Sequence, residues 1–313
     1  MKIKIANAQP SLSRVNLPKR EPTRVALVQM HWQENLQQHL ATLADGIAQA
    51  ASAGAKIVFL PELTLSRYMA DTLPTAAPDE TAEDLENGPS LTFAKEQAAK
   101  HKVFVHISLF QKQSREDGLG LNVAALVSPS GQLIARTPKL HIPITAGYFE
   151  DKYFAKGPAT PEPYPVYRIS LGETEASVGL PTCWDEWFPE VARNYSLRGA
   201  ELLCYPTAIG SEPDHPDFDT EPLWRQVIVG NAISNGLFMV VPNRWGNEGK
   251  VTFYGSSFIC DPYGRILVQA DREGDEVLVA DLDLDQRQDW LDLFPFLETR
   301  RPDTYQALVE PNE

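Results

Sequence analysis

Gly179-Leu180-Pro181-Thr182-Cys183-Trp184-Asp185-Glu186-Trp187-Phe188-Pro189-Glu190 joins a short apolar strand, Ala176 to Leu180, to a helix-start pattern. Pro189 fits a first helical turn, where its missing N–H costs nothing, and Val191, Tyr195 and Arg198 follow before Gly199 reads as a stop. This places the Cys183 thiol on a strand-to-helix turn, aimed at N–H groups that carry partial positive charge. Such groups lower a thiol pKa and can hold an oxyanion, so nucleophile and electrostatic catalyst share one turn. The bland alternative is a small buried hydrophobe. It is the better reading for Cys204, in the apolar run Leu202 to Tyr205, and for Cys260, after Phe258-Ile259. Cys183 differs because polar and charged residues surround it.

Working outward, 313 residues fit one large domain, read here as residues 1–313 with a core at about 24–283 and an arm at each end. The composition, 43% hydrophobic and 22% charged, is that of a globular chain. No apolar run approaches a membrane span, the start lacks a secretory signal, and three cysteines suit a reducing cytoplasm. A net charge of -14, from 28 basic and 42 acidic residues, argues against non-specific nucleic-acid binding, which needs cations to neutralise phosphates. The acidity is compatible with a cationic small substrate, although solubility accounts for most of it.

From Arg24 the chain alternates in type. A β-rich segment to Met30 precedes Leu36, Leu40, Leu43 and Ile47 at helical spacing, then Lys56 to Leu60 as a buried strand. Ser90 is a candidate cap for a helix that buries Ala94 and Ala98, before Val103 to Phe110 and a hairpin of Leu121 to Val127 with Leu133 to Thr137. Beyond Cys183 come a strand at Glu201 to Tyr205, a helix from Glu221 to Asn235 closed by Gly236, and a strand at Leu237 to Val241. Three further strands follow, Gly255 to Cys260, Arg265 to Ala270 and Glu276 to Leu282. The pattern is α/β with stacked layers. The first twenty-odd residues and Asp285 to Glu313 lack periodicity and read as arms packed on the surface or on a partner.

Two more positions could do chemistry. Glu62 follows the strand Ile57-Val58-Phe59-Leu60 and Pro61, a place where burial raises a carboxylate into the range of a general base. Lys139 follows the hairpin and would supply fixed positive charge to an oxyanion and to an ionised thiol. Read alone, Glu62 is a surface or capping residue and Lys139 faces solvent. His141 is a second candidate base for the thiol. The Cys and His spacings do not form a zinc site, and neither metal nor cofactor is required.

Taken in order, Leu60-Pro61-Glu62-Leu63, Lys139-Leu140-His141-Ile142-Pro143 and the Cys183 segment resemble the Glu, Lys and Cys segments of the nitrilase (carbon–nitrogen hydrolase) superfamily, over about Arg24 to Asp283. The resemblance implies a four-layer α-β-β-α sandwich, hydrolysis of a non-peptide C–N bond through a Cys183 acyl-enzyme, and Glu150 as a second acid. Four stretches are most similar to the N-carbamoylputrescine amidases. These are Gly147 to Phe154, Cys183 to Glu190, Tyr205-Pro206-Thr207-Ala208-Ile209-Gly210-Ser211-Glu212-Pro213, and Asn243-Arg244-Trp245-Gly246 with Tyr254 to Phe258. A ureido amine with a cationic tail is therefore the preferred substrate. β-Ureidopropionase-like, ω-amidase-like or nitrile chemistry is the alternative, and a non-catalytic binding member comes last. Asp185 and Glu186 would meet the cationic tail or, equally, cap the helix. Trp184, Trp187 and Tyr68 would wall its methylenes, and Thr207 is a further candidate contact. Pro181-Thr182, Ala155-Lys156 and Asn231 depart from the family pattern, and Pro181 would reshape the pocket wall. The family implies at least a homodimer.

Overall fold

The computed structural model describes residues 1–310, so the last three residues of the expected C-terminal arm lie outside the described part. Its elements are β1 (Lys2–Ala6), β2 (Thr23–Gln29), α1 (Leu36–Ser52), β3 (Ile57–Phe59), α2 (Pro89–His101), β4 (Phe104–Gln111), β5 (Leu121–Val127) and β6 (Leu133–Pro138). Then come β7 (Val166–Leu171), β8 (Thr174–Gly179), α3 (Pro189–Leu197), β9 (Leu202–Cys204), α4 (Glu221–Asn235), β10 (Phe238–Val241), β11 (Trp245–Asn247), β12 (Thr252–Tyr254), β13 (Phe258–Cys260), β14 (Ile266–Gln269), β15 (Glu276–Leu282) and α5 (Gln286–Leu293).

The period of two in the apolar strands decides the layering. In β2, Val25 and Leu27 face one way, where they pack with Phe59, Leu126, Val178, Leu202 and Val240 between two sheets. Ala26 and Val28 face the other way, onto Leu43 and Ile47 of α1 and Leu91 and Ala94 of α2. The first sheet has the order β1-β15-β2-β3-β4-β5-β6 and the second β14-β13-β10-β9-β8-β7, with α3 and α4 covering the outer face of the second. The result is the four-layer α-β-β-α sandwich. Cys204 fills the inter-sheet layer and Cys260 the layer under α4.

Local chemistry sets several boundaries. Asn35 Oδ1 accepts the Gln38 N–H at 3.1 Å to start α1, and Gly236, at φ 62°, closes α4 in the left-handed region. Ser90 is not a cap: Gly88 holds that position, and Ser90 lies inside the first turn with its N–H and hydroxyl bound to Glu83. The N-terminal segment is likewise not a loose arm. Lys2 to Ala6 pair in parallel with β15, because Lys2 and Lys4 find Asp271 and the buried Glu276 beside that edge. At the other end, α5 docks through Trp290 Nε1 on Ile233 O at 2.9 Å. The three-residue strands of the β11–β12 ribbon are too short for apolar alternation to show in the sequence. No helix among the described residues is long and apolar enough to cross a membrane.

Strands β3, β6, β8, β9 and β10 all deliver their next residues to one end of the sandwich: Glu62, Lys139, Cys183, Thr207 and Asn243. Truncating the fully buried Leu27 to Ala should therefore cost about 2–5 kcal/mol in urea unfolding with an unchanged slope, since the inter-sheet layer has no room to collapse. A loss below about 1 kcal/mol would contradict this packing.

Candidate active site

Lys139 is fully buried, and its ammonium reaches Glu62 Oε1 at 2.8 Å and Glu150 Oε2 at 2.6 Å. Asn122, inside the apolar strand β5, donates to the same Glu62 oxygen at 2.7 Å. Glu62 Oε2 is buried with no partner among the described residues. Glu150 is fixed from its other side by the Tyr68 hydroxyl at 2.8 Å. Burial pushes the Glu150 carboxyl up to about 7, Lys139 opposing and Glu62 assisting. Burial pulls the Lys139 ammonium down, but Glu150 and Glu62 outweigh it and hold it well above the ordinary lysine value.

Cys183 opens a five-residue 3-10 turn, Cys183–Trp187, with its own backbone at φ 43°, a left-handed conformation that a side chain adopts only when its surroundings enforce it. The enforcement is visible. Cys183 N–H is bound to Pro206 O at 3.0 Å, Asp185 Oδ2 accepts the Thr182 N–H at 3.1 Å, and the Asp185 N–H returns to Thr182 O at 3.0 Å across the turn. The Trp184 N–H has no partner among the described residues, which leaves it free for an oxyanion.

The thiol does not titrate as the sequence suggests. Burial drives the Cys183 thiol well above its ordinary value; Glu62 adds to this and Lys139 opposes it, while Glu186 and Glu150 add further. One ammonium is outnumbered by carboxyl groups, and a turn of five residues supplies little dipole. The balance favours a protonated sulfur at rest.

Asp185 and Glu186 are not at the rim. The Asp185 carboxylate accepts from Thr182 N at 3.1 Å, Leu140 N at 3.3 Å, His141 N at 3.0 Å and His141 Nδ1 at 2.7 Å. It thus fastens the loop after Lys139 to the Cys183 turn. His141, stacked on Phe188 at 3.8 Å, belongs to this clamp and makes no hydrogen bond with Cys183. Glu186 is fully buried under Trp224, whose Nε1 donates to it at 2.8 Å. Asn231 Nδ2 donates to the Glu186 carbonyl at 2.9 Å, so Asn231 supports the turn.

A cavity of about 280 Å³ opens over the sulfur, lined by Cys183, Glu150, Trp184, Trp187, Tyr148, Thr145, Pro143, Ala208, Ile209, Glu212, Phe218, Thr220 and Leu223. Trp184 and Trp187 form walls. Tyr68, Thr207 and Pro181 are buried and absent from the lining: Tyr68 serves Glu150, and Thr207 Oγ1 donates to Tyr205 O at 2.9 Å. Glu212 supplies the second carboxylate of the cavity; its motif was visible in the sequence, but not its direction. Asn122 could have been found as a polar residue in an otherwise apolar strand. No group of three or more His, Cys, Asp or Glu among the described residues has the arrangement of a metal site.

Two outcomes follow from these contacts. Asp185→Ala should lower kcat by about 10-fold or more with KM little changed, because it misaligns Lys139 and Cys183 without touching the cavity; a KM effect alone would restore Asp185 to the rim. Glu150 carries a raised pKa in the fold, so its protonated form favours folding and that contribution fades as pH rises through about 7. Glu150→Gln should consequently lose less melting temperature than the parent between pH 6 and pH 8, and identical pH dependence would contradict the burial of an acid there.

Residues 24–292 match the carbon-nitrogen hydrolase family model. The chain is 36% identical over 291 residues to a citrullinase of Francisella tularensis subsp. tularensis, covering 91% of this chain and 98% of that one. It is 32% identical to an N-carbamoylputrescine amidase of Arabidopsis thaliana, covering 93% and 96%. The crystal structure of a carbon-nitrogen hydrolase from Helicobacter pylori G27 superposes with a TM-score of 0.78 at 28% identity, over 93% of this chain and all of that one. A sandwich of this topology, matched along nearly its whole length, makes the chain a carbon–nitrogen hydrolase of the nitrilase superfamily.

Proposed function

We propose that the protein hydrolyses a ureido alkylamine, with N-carbamoylputrescine as the preferred substrate, through an acyl-enzyme on Cys183. The observation that carries the substrate class is the cavity's charge: Glu212 and Glu150 line it and no Lys or Arg does. Burial raises the Glu212 carboxyl, with His215 and the Thr220 hydroxyl opposing, and a cationic amine is the partner that would compensate an acid in an apolar wall. Putrescine ends in such an amine.

In this reading the unpartnered Glu62 Oε2 takes the Cys183 proton as the sulfur attacks the ureido carbonyl carbon. The Lys139 ammonium and Trp184 N–H stabilise the oxyanion. Glu62 returns the proton to the departing nitrogen, and expulsion of either nitrogen leaves a carbamoyl thioester. Glu62 then activates water, which releases a carbamic acid that decomposes to carbon dioxide and the remaining amine.

Citrulline is the second reading, favoured by the relative at 36% identity. It bears the same ureido group, but its α-carboxylate would enter a cavity without a basic residue. β-Ureidopropionase and ω-amidase substrates also carry a carboxylate and meet the same objection.

A panel of N-carbamoylputrescine, citrulline, N-carbamoyl-β-alanine, an ω-amide and a nitrile, assayed for ammonia, tests the reading. N-carbamoylputrescine should exceed citrulline by about 10-fold or more in kcat/KM, and Glu212→Gln should erase most of that margin, a difference of about 1.4 kcal/mol. Citrulline as the better substrate of the parent would overturn the assignment. Cys183→Ala should abolish turnover, and ammonia release at the parent rate would remove the acyl-enzyme.

A further inference from the structure

Behind the catalytic cluster lies an ion pair that the mechanism does not use. Arg244 follows β10 and Glu248 follows β11, and both side chains are buried to within a few per cent. Arg244 Nε stands 2.8 Å from Glu248 Oε1, at an angle outside hydrogen-bond geometry, so the contact is one of charge. The remaining polar atoms of the pair point at one stretch of backbone. Arg244 Nη1 donates to Glu62 O at 3.5 Å and Nη2 to Ser66 O at 2.9 Å, and Glu248 Oε2 accepts the Tyr68 N–H at 3.0 Å. The Arg244 guanidinium also lies 5.3 Å above the Phe253 ring, which fixes its plane.

That stretch, Glu62 to Tyr68, begins with the base and ends with the residue whose hydroxyl holds Glu150. It needs external support. Leu63 is at φ 48°, and Glu62 to Tyr68 contains no strand or helix to hold it. We infer that Arg244 and Glu248 are positioning residues: together they fix from beneath the backbone of Glu62 and of Tyr68, whose hydroxyl holds Glu150, and as a neutral pair they do so without adding net charge behind the base.

The inference rests on Glu62 acting as the base, and it makes a signed prediction. Glu62 is faced by Lys139 and Asn122 through hydrogen bonds, by the titratable groups of Glu150, Glu186, Cys183 and Tyr68, and by the Arg244–Glu248 pair through its own backbone carbonyl. On the far side, His39 also feels Arg244, and burial lowers its pKa. Removing one member of the pair therefore exposes Glu62 to the other's bare charge. With Glu248→Gln the unpaired cation favours an ionised base, and the acid limb of kcat/KM should move to lower pH. With Arg244→Gln the unpaired carboxylate opposes it, and the limb should move to higher pH. Each shift should be roughly half a unit or more.

The experiment measures kcat, KM and the pH profile on N-carbamoylputrescine, or on whichever substrate the panel selects, for both single variants and for Arg244→Gln/Glu248→Gln. The expected result is opposite shifts in the singles, a return to the parent limb in the double variant, and losses in kcat rather than in KM. Shifts of the same sign, or unmoved limbs in folded variants with titratable Cys183, would overturn the inference. Should a glutamine variant not fold, Arg244→Lys keeps the charge but loses a planar contact. It should then lower kcat by about 10-fold with the limb unmoved, and parental kcat would be the contrary outcome. Failure of the underlying reading is distinguishable, because turnover would survive in Glu62→Gln whatever the pair does.

Discussion

One ammonium organises this protein's catalytic end. Lys139 has no access to water, and two carboxyl groups replace its hydration at 2.8 Å and 2.6 Å. Burying a lysine is unfavourable by several kcal/mol unless such partners are held in place, and removing a single partner from a buried pair costs about 3–5 kcal/mol. The surroundings are built accordingly. Asn122 from β5 steadies Glu62, Tyr68 steadies Glu150, and Asp185 ties the loop after Lys139 to the turn that carries the sulfur.

The same arrangement sets the division of labour at the site. Burial, with carboxyl groups outnumbering the ammonium, favours the protonated sulfur. Above this core the cavity is largely apolar, with aromatic walls, and its distinguishing charge is Glu212. The ion cluster is closed by the sandwich, whereas Glu212 comes from the segment between β9 and α4.

The sandwich was legible because its strands are apolar on both faces and its helices carry clear stops, as at Gly236. The three reactive segments were legible because each follows a strand end in a recognisable motif. What sequence could not supply was direction. Asp185 and Glu186 adjoin the sulfur in the chain, yet a 3-10 turn rotates one into a cap and the other under Trp224. Tyr68 and Thr207 carry groups suited to ligand contact, but their hydroxyls serve Glu150 and Tyr205 O. The thiol's titration was misjudged for a related reason. A local reading sees turn N–H groups, whereas the outcome depends on burial and, besides the neighbouring Glu186, on carboxyl groups more than thirty residues away in sequence. β1 escaped notice because the first twenty-odd residues read as an arm without periodicity, and the partners of its lysines, Asp271 and Glu276, are distant in the chain.

The account's central claim is that a protonated sulfur sits beside an already paired ammonium. Its most direct test is thiolate ultraviolet absorbance as a function of pH, taken as the difference between the parent and Cys183→Ala. The account predicts no thiolate at neutral pH and a rise only above the ordinary cysteine range. A thiolate already present at neutral pH would contradict it, showing that Lys139 serves the sulfur before substrate arrives.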